Sequence, residues 1–172
     1  MTEIEEAVIR MHDVSKHFGE VAAVSHISLD VPQGGIFGFI GPSGCGKTTT
    51  VRLLIGNYEA TGGAAEVLGK SPDDFTADDQ RRIGYMPQLF ILYPELTVWE
   101  NLNFAASIYG YPMDRDERLR ELLDLVELTG HENKLARNIS GGMQRRLSLA
   151  STLVHQPELI FLDEPTAGID PV

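Results

Sequence analysis

The chain has 172 residues, of which 42% are hydrophobic and 23% charged, the balance of an ordinary water-soluble globular protein. Its 25 acidic and 14 basic residues give a formal net charge of −11, which disfavours broad phosphate neutralisation on nucleic acid and polybasic attachment to a membrane. The single cysteine excludes an internal disulfide and a multi-cysteine zinc cluster. No apolar run approaches the ~18 residues that span a bilayer, and the acidic start is unlike a signal peptide. We therefore expect a cytoplasmic, acidic, single-domain protein.

The first half of the chain predicts strands followed by a loop and a helix. Alternating apolar residues indicate two early strands, around residues 8–11 and 27–31. The apolar run at 36–40 is typical of a strand buried on both faces. A glycine-rich loop separates it from a helix predicted over residues 48–55, whereas the stretch 56–87 gives no clear prediction.

The second half predicts two helices and a further strand. A helix is expected from Asp114, as its cap, to Leu128, because its apolar residues recur at helical spacing: Leu119, Leu122, Leu123 and Val126. A second helix is expected over residues 142–155, and residues 159–162 are typical of a buried strand. Alternating strand, loop and helix units predict an α/β fold with a largely parallel sheet.

Residues 41–48 match the phosphate-loop pattern G-x-x-x-x-G-K-[ST] between a predicted strand and a predicted helix. Glycines allow backbone N–H groups to turn around a phosphate, and the helix N-terminus adds positive charge. Lys47 is predicted to reach the β- and γ-phosphates, and the Thr48 hydroxyl to ligate Mg²⁺. Cys45 is expected to be a small filler, not a catalytic thiol. The predicted nucleotide-binding residues are the loop and the threonine after it: Gly41, Pro42, Ser43, Gly44, Cys45, Gly46, Lys47, Thr48 and Thr49.

Two carboxylates, Asp163 and Glu164, directly follow the apolar strand at 159–162. In an open α/β sheet, ligands bind at the carboxyl ends of the strands. Adjacent strand residues point to opposite sides, so the two side chains are expected to have different roles. We expect Asp163 to serve Mg²⁺ through water and Glu164 to act as the base toward the attacking water. The alternative is a solvated pair that caps the strand.

The segment Ile139-Ser140-Gly141-Gly142-Met143-Gln144-Arg145-Arg146 resembles the Leu-Ser-Gly-Gly-Gln signature of the ATP-binding-cassette (ABC) ATPases. The other motifs follow that family's order: phosphate loop, glutamine loop at Gln88, signature, carboxylate strand and a D-loop at 167–170. The signature departs from the family in Ile139 and Met143. Met143 and the segment 92–102 are similar to the drug-exporter and ABC-2 type subgroup.

The resemblance implies one ABC ATP-binding domain over residues 1–172, lacking its C-terminal part. The implied fold is a P-loop NTPase (RecA-like) fold, with a mainly parallel sheet, an N-terminal antiparallel β part and a helical subdomain over about 89–140. It also implies that Phe18 stacks on adenine and that Gln88 acts in catalysis, contacts Mg²⁺ and relays the nucleotide state. Ser140, Gly141 and Gly142 are implied to bind ATP held by a second copy.

The implied assembly is a head-to-tail dimer of two ATP-binding domains, identical or different, with two ATP molecules between them. Transmembrane permease subunits are the implied partners, which places the chain peripherally on the inner face of the cell membrane, with no nucleic-acid partner. The family's docking segment contains Tyr93 and Trp99 here. Aromatic residues are as common in a core as at an interface, so both alternatives stay open for these two.

The leading hypothesis is therefore an ATPase subunit that powers transport, and more specifically export. The chain ends at Val172, before the position of the family's switch histidine, so the isolated chain is expected to bind ATP but to hydrolyse it weakly. One alternative is a non-transport ABC ATPase that acts on DNA or ribosomes. Another is a catalytically silent nucleotide-binding module.

Overall fold

The computed structural model describes residues 7–89, 91–111 and 114–165. The chain divides between Gln80 and Arg81 into two compact units. The elements, in chain order, are β1 (Ala7–Phe18), β2 (Val21–Pro32), α1 (Lys47–Leu54), β3 (Gly62–Val67), α2 (Ala77–Arg81), β4 (Ile83–Met86), α3 (Val98–Ile108), α4 (Asp116–Leu125), α5 (Gly141–Leu153) and β5 (Leu159–Leu162). Short 3₁₀ helices cover Pro72–Asp74 and Ala136–Asn138.

The first unit contains a three-stranded antiparallel sheet in the order β2-β1-β3. Its central strand places Arg10 opposite Asp30 on one side and Glu66 on the other, so the register alternates charge across the exposed face. Helix α1 contacts β2 and β3. The three strands, α1 and its C-cap residue supply the buried apolar residues of this unit: Ile9, Met11, Val14, Val24, Val31, Leu53, Leu54, Ile55 and Val67.

The second unit contains two parallel strands, β4 and β5, that pair in register from Ile83 opposite Leu159 to Met86 opposite Leu162. Arg82 sets the start of this register. Its carbonyl accepts from the N–H groups of Glu158 and Leu159, and its guanidinium makes two bonds to the Glu158 carboxylate at 2.7 and 2.9 Å. A bidentate pair of this kind fixes direction as well as distance.

Helices α3, α4 and α5 enclose the apolar core of the second unit. Helix α4 turns its leucines inward at i, i+3 and i+4, where Leu119, Leu122 and Leu123 are at most 1% exposed. Helix α3 begins with a capping box, because the Thr97 hydroxyl accepts from Glu100 N while the Glu100 carboxylate accepts from Thr97 N. Among the described residues, no helix has the length and apolar character needed to cross a lipid bilayer.

Most predicted elements are confirmed. The two early strands are present and longer than predicted, and α1, α5 and β5 lie within a residue or two of their predicted bounds. Strand β5 is less buried than a central strand, because Ile160 and Leu162 are 39% and 41% exposed. The stretch that gave no prediction holds β3, α2 and β4.

The strand predicted over residues 36–40 is wrong. These residues have no strand conformation, no described strand pairs with them, and Ile36 and Ile40 are almost fully exposed. An apolar run forms a buried strand only where neighbouring strands supply hydrogen bonds on its flanks. The composition of the run carries no information about those neighbours.

The predicted cap of α4 is also wrong, because the helix begins at Asp116 and its N-cap residue is Arg115, not Asp114. Arg115 is 5% exposed, and its guanidinium donates to Asn103 Oδ1 at 2.7 Å, Ser107 Oγ at 2.6 Å and the Tyr111 carbonyl at 3.0 Å. This bonding to α3 and the residues after it sets where the helix starts. Local capping propensity is the weaker effect here.

Candidate nucleotide-binding and catalytic site

The phosphate loop of the first unit ends at the N-terminus of α1. The Lys47 ammonium donates to the carbonyl oxygens of Gly41 and Pro42 at 2.8 and 2.9 Å, so the side chain folds back across the loop. Thr50 N and Oγ1 donate to the Gly46 carbonyl at 2.8 and 3.0 Å, which fixes the first turn of the helix. The N-terminus of this eight-residue helix carries no acidic residue in its first turn, so its positive end is available to an anion.

Two loop glycines occupy backbone conformations that side chains disfavour. Gly44 has φ +80° and Gly46, the N-cap of α1, has φ +93°. A Cβ on Gly46 lies 2.3 Å from the Ala23 carbonyl oxygen, so α1 begins against β2 at a distance only glycine permits. Cys45 is exposed, with its Sγ 3.9 Å from Lys47 Nζ.

Phe18, the predicted adenine contact, lies at the end of β1 and is 45% exposed. Its ring meets the Tyr58 ring edge to face, with centroids 5.3 Å apart, and the Lys16 ammonium lies 5.2 Å from its centroid. Tyr58 and Lys16 were not predicted to belong to the site. Tyr58 lies in the stretch that gave no prediction, and its pairing with Phe18 depends on tertiary folding.

The carboxylate residues of the second unit lie where β5 ends. Asp163 is 4% exposed, and its N–H donates to the Met86 carbonyl at 2.9 Å. Gln88 Nε2 donates to Glu164 Oε2 at 2.7 Å, so the structure brings the predicted glutamine-loop residue and the predicted base together. Glu164 has φ +50°, an uncommon conformation for a residue other than glycine that is often found at functional sites.

The donors at this strand end fit Mg²⁺. Asp163 Oδ2 is buried and accepts no hydrogen bond from the described residues, which leaves a carboxylate oxygen available for a cation or its water. Mg²⁺ takes few protein ligands, typically one or two carboxylates, together with water and phosphate oxygens. The described residues contain no cluster of three or more His, Cys, Asp or Glu side chains suited to a metal.

The signature segment opens helix α5. Ser140 is the N-cap, and its Oγ accepts from Met143 N at 3.2 Å. A Cβ on Gly141 or Gly142 meets no described atom within 4 Å, and neither residue has positive φ. Packing and backbone conformation in this unit therefore do not explain these two glycines.

Sequence analysis missed Arg145, which lies on α5 and is 3% exposed. Its guanidinium donates to carbonyl oxygens of the glutamine loop and of the carboxylate strand end, including those of Gln88 and Asp163. The sequence gives only the spacing, since Arg145, Ser148 and Thr152 are polar at i, i+3 and i+7. The structure shows that all three are buried and form a polar inward stripe on the helix.

The two aromatic residues of the expected docking segment lie in different environments. Trp99 packs against the apolar core of the second unit, whereas Tyr93 is 47% exposed and meets Phe104 edge to face at 4.8 Å. The predicted D-loop, residues 167–170, lies outside the described residues.

Two features, one in each unit, define a class of protein: the glycine-rich loop at the start of α1 and the buried aspartate at the end of β5 are typical parts of a P-loop nucleoside triphosphatase. The family described as "ABC transporter" matches residues 24–167. The chain therefore belongs to the ABC transporter family, as an ATP-binding domain with the P-loop NTPase α/β fold, and such domains are nucleotide-binding ATPases.

Relatives in this family include ATP-binding proteins named for multidrug transport, bacitracin transport and spermidine/putrescine import. The chain is 37% identical over 171 residues to the "Probable multidrug ABC transporter ATP-binding protein YbhF" of Escherichia coli, covering 97% of this chain and 29% of that protein. It is 39% identical over 165 residues to the "Bacitracin transport ATP-binding protein BcrA" of Bacillus licheniformis, covering 96% and 53%. It is also 39% identical over 163 residues to the "Spermidine/putrescine import ATP-binding protein PotA" of Rubrobacter xylanophilus, covering 94% and 43%. The chain thus spans about a third to a half of these relatives.

Solved structures agree with the fold. The structure of an ATP-binding subunit of an ABC transporter matches with TM-score 0.82 and 30% identity, covering 95% of this chain and 69% of that one. The cbiO1 protein of Clostridium perfringens, part of the cbiONQ transporter complex, matches with TM-score 0.85 over 97% of this chain and 69% of that one. At 23% identity, the second match concerns the fold alone.

Proposed function

We propose that this chain binds ATP with Mg²⁺ and hydrolyses it as the ATP-binding part of an ABC transporter, where it powers export through membrane permease subunits. The observation that carries the proposal is the strand end of the second unit. There a buried aspartate oxygen without a described partner lies next in sequence to a glutamate held by Gln88. Family membership and the phosphate loop of the first unit support the same function.

In the first unit, we assign the phosphates to the loop and α1. Backbone N–H groups of residues 41–48 and the helix N-terminus bind the β- and γ-phosphate oxygens. Lys47 exchanges its bonds to the Gly41 and Pro42 carbonyls for phosphate oxygens. Thr48 offers its hydroxyl to the metal and Thr49 lies beside it on the helix. Phe18 offers an exposed ring face to adenine, next to the Lys16 ammonium.

In the second unit, we assign the metal and the water. Mg²⁺, when bound, neutralises charge that develops on the β- and γ-phosphates. Asp163 and Gln88 hold and orient it, directly or through water. Glu164 accepts a proton at a carboxylate oxygen from the water that attacks the γ-phosphorus in line, as the bond from that phosphorus to the bridging oxygen breaks. The Gln88–Glu164 bond of 2.7 Å holds the carboxylate in place before the reaction.

The start of α5 supports a head-to-tail dimer. Glycine at positions 141 and 142 costs stability in a helix, roughly 0.5–1 kcal/mol each relative to alanine. Among the residues that the structure describes, no atom lies within 4 Å of a Cβ at either position, so packing there does not require these glycines. We assign Ser140, Gly141 and Gly142 to the γ-phosphate of ATP bound by a second ATP-binding domain, because bare amides at a helix start bind anions.

An exposed apolar groove beside the glutamine loop supports docking of a membrane permease. It has a volume of about 170 Å³ and is lined by Tyr93, Asn101, Phe104 and Ile108 among others, with Leu89 and Ile91 exposed nearby. We assign it to a short segment of a transmembrane permease, because the relatives are transport subunits and the groove adjoins Gln88. This docking places the chain on the inner face of the membrane.

Export, and not import, is the direction that we propose. Met143 in the signature and the identity to a multidrug and a bacitracin transport protein favour it. The 39% identity to an import protein gives import as the second candidate. Reconstitution of the chain's full transporter into vesicles, with transport measured into and out of the lumen, distinguishes the two directions.

The first test is calorimetric titration of MgATP into the chain, into Lys47→Ala and into Lys134→Ala. Lys134 is an exposed lysine outside the phosphate loop, so its variant controls for loss of charge. We expect the parent and Lys134→Ala to bind and Lys47→Ala to lose binding by about 10²-fold or more, since a charge-assisted contact is worth roughly 1.5–3 kcal/mol and neighbouring amides lose order with it. A cooperative thermal transition in the parent without MgATP binding would contradict the proposal.

A further inference from the structure

We infer that Arg145 is a positioning residue for the ATPase reaction, because its guanidinium fixes the backbone that carries Gln88, Asp163 and Glu164. The inference rests on the proposed function, in which these three side chains act on the metal and the attacking water. The five bonds described below all run from Arg145 to main-chain carbonyl oxygens, not to the side chains that act on the metal and the water. Arg145 acts through the two segments it holds together.

Five hydrogen bonds join the guanidinium to main-chain carbonyls of these two segments. Nη1 donates to the carbonyls of Pro87 at 3.3 Å and Gln88 at 2.9 Å. Nη2 donates to Asp163 at 3.0 Å and to Glu164, and Nε donates to Pro165 at 3.2 Å. An arginine side chain has five N–H donors, and five carbonyl oxygens receive them here.

These bonds begin where the sheet ends. Strands β4 and β5 pair up to Met86 and Leu162, and one more bond runs from Asp163 N to Met86 O. Beyond that point both chains leave the ladder, and their carbonyls require other donors. Arg145 supplies these donors to two segments that lie 76 residues apart in the chain at Gln88 and Glu164.

Burial makes the arrangement rigid. Arg145 is 3% exposed, so water does not compete strongly for its donors, and hydrogen bonds from a charged donor are about twice as strong as neutral ones. Its planar fork fixes directions as well as distances. Lysine keeps the charge but offers three donors from a single nitrogen, so it cannot reach five carbonyls spread over two segments.

The adjacent residue provides a matched control. Arg146 lies on the same helix, its side chain is 39% exposed, and it pairs with Glu127 at 2.7 Å. We therefore compare Arg145→Lys and Arg145→Gln with Arg146→Lys and Arg146→Gln. Each pair removes the same chemical groups from α5, and only the first pair disturbs the glutamine loop and strand end.

The first readout is the affinity for ATP measured by calorimetry with EDTA and again with Mg²⁺. The ratio of the two dissociation constants reports the gain from the metal. We expect Arg145→Gln to reduce this gain by about 10–100-fold, the loss typical of groups that orient metal ligands, and Arg145→Lys to reduce it less. ATP affinity in EDTA is expected to stay near that of the parent.

The second readout is amide hydrogen exchange without nucleotide. We expect faster exchange at the amides of Met86, Gln88, Leu89, Asp163 and Glu164 in both Arg145 variants, with exchange in α3 and α4 unchanged and with no change in the Arg146 variants. This pattern distinguishes a local positioning role from general loss of stability.

The possible results distinguish failure of the proposed function from failure of the inference about Arg145. A parent that folds but does not bind MgATP overturns the proposed function and this inference with it. A parent that gains affinity from Mg²⁺, with Arg145 variants that gain as much, overturns the inference alone. Failure of both Arg145 variants to fold, or faster exchange spread over the whole unit, also overturns it, because the role is then structural.

Discussion

Single residues in the phosphate loop determine whether the first unit can hold phosphate. Gly46 combines a left-handed backbone with a position where a Cβ would lie 2.3 Å from the Ala23 carbonyl oxygen of β2, whereas at Gly44 only the backbone is left-handed. The motif in the sequence identifies both positions. The structure adds that a side chain is disfavoured at the two positions for different reasons, and the difference in stability between the two alanine variants can be measured.

We expect Gly46→Ala to abolish MgATP binding and to destabilise the chain by about 2–5 kcal/mol. Left-handed backbone costs roughly 1–2 kcal/mol for a residue with a Cβ, and overpacking roughly 1–3 kcal/mol more. The overpacking arises because the new Cβ lies 2.3 Å from the Ala23 carbonyl oxygen. Gly44→Ala is the control, since it meets no atom within 4 Å and carries only the backbone cost. Urea denaturation of both variants measures the difference, and equal stability losses would contradict this account.

The limits of sequence-based prediction also lie at the residue scale. The phosphate loop could be predicted because its function depends on consecutive residues and their backbone. Arg115 and Arg145 could not, since an arginine on a predicted helix is normally solvated. Both are buried because carbonyls or side chains from other segments meet the guanidinium. Such partners become visible only in the folded chain.

At the scale of elements, sequence patterns predicted the helices and strands whose own residues favour that conformation. Helix α3 was missed although its capping box, Thr97 and Glu100, is readable in the sequence. Strand β3 was missed for a physical reason: its sequence, GGAAEV, has little intrinsic strand preference, and pairing with β1 makes it a strand. Residues 36–40 show the reverse case, with strand composition and no described partner strand.

His155 follows the end of α5 and connects it to two other elements. Its ring stacks on Tyr109, the C-cap residue of α3, with centroids 3.7 Å apart, and its Nε2 lies 3.2 Å from the Ile83 carbonyl of β4. Its Nδ1 is buried and has no hydrogen-bond partner among the described residues. Burial lowers the pKa of His155 and raises the pKa of Tyr109.

The lowered pKa of His155 predicts a pH dependence of stability. At pH values above the unfolded-state pKa near 6.5, neither state binds the proton and the stability is fully present. Below it the unfolded chain binds a proton that the folded chain disfavours, so stability falls until the pH passes the lowered pKa. We expect His155→Phe, which keeps the stacking, to reduce this fall between pH 7 and 5 in urea denaturation. His12→Phe is the control, since His12 is exposed on β1. An unchanged pH profile in His155→Phe would contradict the prediction.

For the whole molecule, net charge is the dominant property. The excess of acidic groups, −11 in total, repels itself in the compact state and opposes an anionic nucleotide everywhere except at local positive sites. The N–H groups of the phosphate loop and of the start of α5 must therefore attract the nucleotide against the negative potential of the rest of the molecule. This field depends on ionic strength, whereas the buried contacts described above depend on it little.

We expect the thermal midpoint of the chain to rise when NaCl increases from roughly 20 to 200 mM at pH 7, because the screening length falls from about 20 Å to about 7 Å. A rise of a few degrees corresponds to about 1 kcal/mol for a domain of this size. Scanning calorimetry at several salt concentrations measures it, and KCl is the control because screening depends on ionic strength and not on the cation. A midpoint that falls with salt would show that ion pairs outweigh the repulsion.

The exposed run at residues 36–40 has a consequence for the handling of this protein. Its five residues include two isoleucines and two phenylalanines, no charge and no proline, which is the composition of segments that join into intermolecular β-structure. Ile36 and Ile40 are fully available for this, and no charged residue within the run opposes it. We expect self-association through this segment to rise with protein concentration, because the acidic surface that opposes it has no charge within the run.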